Sequence, residues 1–200
     1  MISIQEMKEL EENCGVSKLQ LMENAGREIY KTLKEKFPNL KDKRILIAAY
    51  HGNNGGDGFV AARHLCEETE TDILFIGDES KFKEEARINF ARIENNNKIQ
   101  LFMQPEDIIP DDYDIIIDAL LGTGTTGDIK EPIASVIKEI NDSSAFKVAV
   151  DIPSGINPDT GDAEKSINPD LIITFHDIKK GMENLKDKTT VVDIGIKRGE

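Results

Sequence analysis

Residues Arg44-Ile-Leu-Ile-Ala-Ala-Tyr50 form an apolar run with no polar residue between its ends. A strand that keeps one face in water alternates apolar and polar residues. A strand without alternation is covered on both faces, as in the parallel sheets of α/β proteins. The pattern returns in Tyr113-Asp-Ile-Ile-Ile-Asp118 and in Phe146-Lys-Val-Ala-Val-Asp151. Asp72 to Ile76, Ile99 to Met103, Leu171 to Phe175 and Thr190 to Ile194 read as further strands. Stretches of helical period lie between them. The alternation predicts an α/β domain with a mostly parallel central sheet. The chain has 200 residues and no repeat, low-complexity tract or linker, so residues 1–200 read as one domain.

Two helices precede the first strand, over about residues 3–37. Ser3-x-x-Glu6 is a capping box that opens the first, which stops near Gly15. Ser17-x-x-Gln20 repeats the signal. Behind it Met22, Ala25, Ile29, Leu33 and Phe37 recur as one apolar stripe, and Pro38 ends the helix. Standing outside the βαβ pattern, these helices are a candidate dimer surface. Further helices are expected over Phe59 to about Glu68 and over Ser80 to about Asn95. The latter would turn Phe82, Ala86, Phe90 and Ile93 inward. Pro132 fits the first turn of another helix, which runs to about Asn141.

Composition removes several function classes. Lys and Arg number 25 against 38 Asp and Glu, a formal charge of −13. Sequence-independent binding to nucleic acid or anionic lipid needs the opposite field. No stretch approaches the ~20 apolar residues of a membrane span. The opening residues have neither the basic region nor the apolar run of a signal peptide. Two cysteines cannot frame a disulfide-rich domain, and three scattered histidines match no zinc spacing. The expected setting is the reducing cytoplasm.

Ligands of open parallel sheets bind beyond the carboxyl ends of the strands, and three glycine-rich loops leave strands there. Gly52-Asn53-Asn54-Gly55-Gly56-Asp57-Gly58 has four glycines that let backbone N–H groups approach an anion, with a helix N-terminus behind them. A mobile tight turn is the alternative. Gly122-Thr123-Gly124-Thr125-Thr126-Gly127, followed by Asp128, matches G-x-G-x-x-G. The match falls at about the fourth βα turn rather than the first, so it reads as a second phosphate-facing loop and not as a dehydrogenase fingerprint. Asp151-Ile-Pro-Ser154-Gly155 puts a carboxylate at a strand end, and Asp118 repeats the arrangement one strand earlier. Asn54, Asp118 and Ser154 offer amide, carboxylate and hydroxyl oxygens, which suit a monovalent cation or ordinary Asx and Ser turns.

These runs, taken together, are specific. Leu21-Met-Glu-Asn-Ala-Gly26, the Gly52–Gly58 run with Val60-Ala-Ala-Arg63, Asp118-Ala-Leu-Leu-Gly-Thr-Gly124, Asp151-Ile-Pro-Ser-Gly155, Thr174-Phe175 with Lys179 and Gly181, and Asp193-Ile-Gly195 follow one another across nearly the whole chain. The chain resembles the NAD(P)HX epimerase family, the YjeF N-terminal domain. The resemblance implies a Rossmann-like three-layer α/β/α fold, usually a homodimer, and interconversion of the R and S hydrates of NADH and NADPH with a bound potassium ion (K+). It implies Asn53 to Asp57 (Asn53, Asn54, Gly55, Gly56, Asp57), Gly122 to Asp128 and Asp151 as substrate contacts. It also implies Asn54, Asp118 and Ser154 as potassium ligands. Asp151, as general acid and base with a raised pKa, and Lys179 are the expected catalytic residues. Asp57 is the rival acid, and Lys180 the rival lysine. His51 departs from the small residue common before the glycine loop. The family often carries a second, ADP- or ATP-dependent NAD(P)HX dehydratase domain, a fused or separate partner. The competing class is a non-catalytic, nucleotide-binding or dimeric scaffold module. The presence of Asn54, Asp57, Asp118, Asp151 and Ser154 favours the enzyme.

Overall fold

The computed structural model describes residues 1–124 and 128–197. Thr125, Thr126 and Gly127 of the second glycine loop lie outside the described residues. The expected helices and strands are present as α1 (Ile4–Asn13), α2 (Lys18–Lys36), β1 (Arg44–Ala49), α3 (Asn53–Leu65), β2 (Glu70–Phe75), α4 (Glu84–Glu94), β3 (Ile99–Phe102), β4 (Ile115–Ala119), α5 (Ile133–Asp142), β5 (Phe146–Val150), β6 (Leu171–Phe175) and β7 (Thr189–Val192). The strands form one sheet in the order β3-β2-β1-β4-β5-β6-β7. Every neighbouring pair is parallel.

The unbroken apolar run of β1 has a direct cause. Ile45, Ile47 and Ala49 pack into the core beneath α2, α3 and α4. Leu46 and Ala48 pack on the opposite face, against Val136, Ile137 and Ile140 of α5. Both faces are dry, so alternation has nothing to select for. The N-terminal caps form as read. The Glu6 carboxylate accepts from the Ser3 N–H at 2.8 Å, and Ser17 Oγ accepts from the Gln20 N–H at 3.2 Å.

The first two helices, the candidate dimer surface, also contribute to the core of the chain. Leu21, Met22, Ala25, Ile29 and Leu33 of α2 belong to the main core. Gly26 meets α3 so closely that an added Cβ would lie 2.4 Å from the Val60 Cβ. The apolar stripe is used within the chain, which leaves only the outer faces for any dimer. The helix expected over Ser80 to Asn95 is interrupted. Asp78 caps a short turn, Glu79–Lys81, by accepting from the Ser80 N–H at 3.0 Å, and Phe82 then turns extended before α4 begins. That kink puts the Phe82 ring 5.2 Å from Phe75 and 4.9 Å from Phe90, inside an aromatic cluster that also holds Phe59. Ring packing outweighs helical continuity there.

Candidate active site

The strand order reverses between β1 and β4, which lie side by side with their crossovers leading to opposite faces. A crevice at the carboxyl ends of such strands is where this topology binds ligands. A cavity of about 450 Å³ opens there. Its walls are Tyr50 to Asn54 and Asp57 after β1, Leu120 to Gly124 after β4, and Asp151 and Phe175 after β5 and β6. Met7, Glu11, Leu21 and Met22 close it from α1 and α2.

The first glycine run is not a loop. Helix α3 begins at Asn53, with Gly52 as its N-cap, so Gly55, Gly56 and Gly58 are helical and none has positive φ. Their smallness serves close packing. A Cβ at Gly55 would lie 1.8 Å from the Tyr50 carbonyl oxygen, one at Gly56 would meet Met22, and one at Gly58 would lie 2.7 Å from the Ala119 Cβ. Gly55 and Gly56 therefore face protein rather than the cavity. The cavity receives a bare helix end: no side chain caps α3, and its first bond runs from the Gly56 N–H to the Gly52 carbonyl. The N–H groups of Asn53, Asn54 and Gly55 are left for an anion. Gly55→Ala is expected to cost stability by about 1–3 kcal/mol, the scale of overpacking. Gly124→Val, with nothing described within 4 Å, should melt with the native protein. Thermal melts of the two variants check this.

Asp118, Ser154 and Asn54 are linked in one hydrogen-bond chain that runs through the Leu121 carbonyl. Ser154 Oγ donates to Asp118 Oδ1 at 2.5 Å, and the Ser154 N–H donates to Oδ2 at 2.8 Å. The Leu121 carbonyl lies 3.2 Å from Ser154 Oγ and accepts from the Asn54 amide at 3.0 Å. Asp118 is 1 % exposed, and among the described residues no lysine, arginine or histidine pairs with it. Burial pushes its pKa up to about 6. The Asp118 carboxylate, the Ser154 hydroxyl and the Leu121 carbonyl are hard-oxygen groups joined in one hydrogen-bond chain, with no cationic partner for the carboxylate among the described residues.

Asp151 follows β5 with φ 61. This left-handed conformation is uncommon outside glycine and is held by what surrounds it. Asp151 Oδ1 accepts from Thr174 Oγ1 and the Phe175 N–H, each at 3.1 Å, and from the Lys179 ammonium. Lys179 is fully buried and also donates to Thr174 Oγ1 at 2.9 Å and to the Phe175 carbonyl at 3.1 Å. All these donors fall on Oδ1, leaving Oδ2 with no donor among the described residues. Thr174, unassigned in the sequence reading, thus bridges the pair.

Residues 18–181 match the family model described as YjeF-related protein N-terminus. The chain belongs to this family. It is 38% identical to the NAD(P)H-hydrate epimerase of Nitrosopumilus maritimus over 94% of this chain and 90% of that protein. It is 40% identical to the protein of the same name from Cenarchaeum symbiosum, over 98% and 95%. Against the bifunctional NAD(P)H-hydrate repair enzyme Nnr of Archaeoglobus fulgidus it is 41% identical, matching 98% of this chain but only 41% of that protein. The chain thus spans about two fifths of the bifunctional relatives it matches. The crystal structure of yeast ynu0, YNL200c, shares the fold, with a TM-score of 0.84 at 24% identity over 96% of this chain and 87% of that one.

Within this YjeF N-terminal domain the two lysines have different partners. Lys179 reaches Asp151, whereas the half-exposed Lys180 pairs with Glu6 at 3.5 Å. Asp57 lines the cavity and hydrogen-bonds to no described residue. Burial, together with Asp151 and Glu11 nearby, pushes its pKa well above its ordinary value. Gly122, Thr123 and Gly124 line the same cavity. Asp128 does not: it lies in an adjoining cavity of about 570 Å³, beyond Leu121 and Gly122. His51 stacks on Tyr50 with centroids 3.8 Å apart, and its Nδ1 accepts from the Asp78 N–H at 3.2 Å. Burial and Lys81 push its pKa down, which favours a neutral ring at the cavity mouth. Glu11 was missed, because nothing in the pattern of α1 says that its last turn closes a cavity. No helix among the described residues is long and apolar enough to cross a membrane.

Proposed function

We propose that this chain epimerises the hydrates of NADH and NADPH, converting the R form to the S form that a dehydratase consumes. The observation that carries the reading is one cavity lined by Asp57, which no described residue hydrogen-bonds, and by a Lys179-bound Asp151 beside a bare helix end. The names of the Nitrosopumilus and Cenarchaeum relatives support it. The substrate carries a hydroxyl at C6 of the reduced ring, next to the ring nitrogen. Asp57 donates its proton to that hydroxyl as the nitrogen lone pair expels it, so the C–O bond breaks, water leaves and an iminium cation remains. Water adds to C6 from the other face and loses its proton to Asp151 Oδ2, and solvent returns that proton to Asp57 between turnovers. Two carboxyls in unlike surroundings can divide acid and base work in this way. The backbone N–H groups of Asn53 to Gly55 and the Gly122–Gly124 segment hold the pyrophosphate, which a protein of charge −13 must bind through local donors.

Asp118, Ser154, Asn54 and the Leu121 carbonyl would hold a potassium ion. Its charge would offset the buried carboxylate and pin three loops together. Potassium is then expected to raise the melting temperature more than lithium at equal ionic strength, because a ligand bound by the native state alone raises stability. Asp118→Asn should remove the difference, and equal melting in both salts would dismiss the ion site. The reading extends to a homodimer, which sedimentation tests, and to a reducing cytoplasm, in keeping with two free cysteines.

The decisive assay mixes the purified chain with an R/S hydrate mixture and an S-specific dehydratase. Complete consumption of both forms is expected. Consumption that halts once the S form is gone would overturn the function. A scaffold lacking catalysis would leave the R form untouched.

A further inference from the structure

Glu11 is a cavity-lining carboxyl that the reaction above leaves without a task. It sits on α1, ahead of the family match that begins at residue 18. The start of α1 is tied to the segment carrying Lys179: the Ile2 N–H donates to the Ile178 carbonyl at 2.9 Å, and the Lys180 N–H donates to the Ile2 carbonyl at 3.1 Å. The Ile4 N–H donates to the Asp159 carboxylate at 3.1 Å. These bonds fix α1 against the site and put half-buried Glu11 on the same cavity as Asp57 and Asp151. No described residue hydrogen-bonds its carboxylate.

The charges around it are unbalanced. Asp57 and Asp151 face the cavity with it. Lys179, fully buried beside the cavity, is held by Asp151. Lys8, Lys18 and Lys83 also line the cavity, but as exposed side chains at its rim, where water screens them. Burial first, and then the Asp151 charge, push the Glu11 pKa up. Carboxyls grouped around a small cavity repel one another unless the occupant is positive. The reduced ring is neutral when bound, and it carries a full positive charge only once its hydroxyl has left.

We propose that Glu11 is a further catalytic residue of this site, facing the ring and stabilising its positive charge in the iminium stage. This inference rests on the epimerase reading. An anion placed where positive charge develops lowers the barrier without tightening ground-state binding. The occupant reverses the penalty that the empty cavity imposes on Glu11.

The test compares native protein, Glu11→Gln and Glu9→Gln, whose side chain is on the solvent side of α1 and accepts from Gln5. Two quantities are read: kcat and KM for the hydrate, and dissociation constants for NAD+, whose ring is cationic, and NADH, whose ring is neutral. Glu11→Gln is expected to lower kcat by roughly 10- to 100-fold with KM nearly unchanged, the scale for one electrostatic group. It should also weaken NAD+ at least fivefold relative to NADH. Glu9→Gln should match the native protein in both. An unchanged kcat, or equal weakening of NAD+ and NADH, overturns the assignment, since a merely structural residue would affect both dinucleotides alike. Native protein that leaves the R hydrate untouched sinks the epimerase reading itself. The binding comparison still reports whether Glu11 selects a cationic ring.

Discussion

Asp151→Asn is expected to lose both turnover and stability. Lys179 is fully buried, and Asp151 is its only carboxylate partner among the described residues. Neutralising that partner strands an ammonium in the interior, which costs about 3–5 kcal/mol when a buried pair is broken from one side. For a chain of this size the melting temperature should fall by roughly 6–20 °C, at about 2–4 °C per kcal/mol. Epimerisation should fall by about 10²–10⁴-fold, the scale of general acid and base catalysis. A double variant, Asp151→Asn with Lys179→Met, separates the two losses. It removes both charges, so most of the melting temperature should return while turnover stays lost. A single variant that melts with the native protein would show that the pair does not hold the lysine. A double variant that regains turnover would remove Asp151 from the chemistry.

Asp57→Asn should push activity and stability in opposite directions. Turnover should again fall by about 10²–10⁴-fold, because the proton donor is gone. Stability should rise at neutral pH. The folded pKa of Asp57 is raised above its unfolded value, so the native state binds the proton more tightly than the unfolded chain does. Stability then declines as pH climbs from about 4, the unfolded carboxyl value, through the raised folded value. Asparagine removes that decline. Turnover of the native protein should fall across the upper part of the same pH range as Asp57 loses its proton. Melting curves and rates between pH 5 and 9 test the pair of claims. A variant that keeps its turnover returns the acid role to Asp151, and one that is less stable at neutral pH argues against the buried, repelled carboxyl.

The opposite signs arise from neighbours, and neighbours are what a sequence hides. Asp57 and Asp151 are both aspartates after apolar strands, ninety-four positions apart, and local pattern cannot say which of them meets Lys179. The choice between Lys179 and Lys180 shows the same limit at shorter range. Lys179 is the extended residue before a short 3-10 turn and Lys180 the first residue of that turn, so one lysine goes into the site and the other to Glu6 on the surface. The glycine run shows it for the backbone. Four glycines in seven residues read as a loop, since glycine disfavours helix. Here Gly55, Gly56 and Gly58 are helical, and they are glycines because Tyr50, Met22 and Ala119 stand too close to admit a Cβ.

What the sequence determined alone was the architecture and the address of the site. Apolar runs without alternation require strands buried on both faces, that requires a parallel sheet, and parallel strands require crossover helices. Each step depends on period and composition, which are local. The polar residues that follow β1, β4 and β5 then fall at one sheet edge, because parallel strands all end on the same side. The tertiary structure alone decided the surroundings of those residues: which carboxyl is paired, which is pushed up in pKa, and that α1 closes the cavity with Glu11. Burial and charge proximity set these properties, and both depend on residues distant in the chain that only the folded packing brings together.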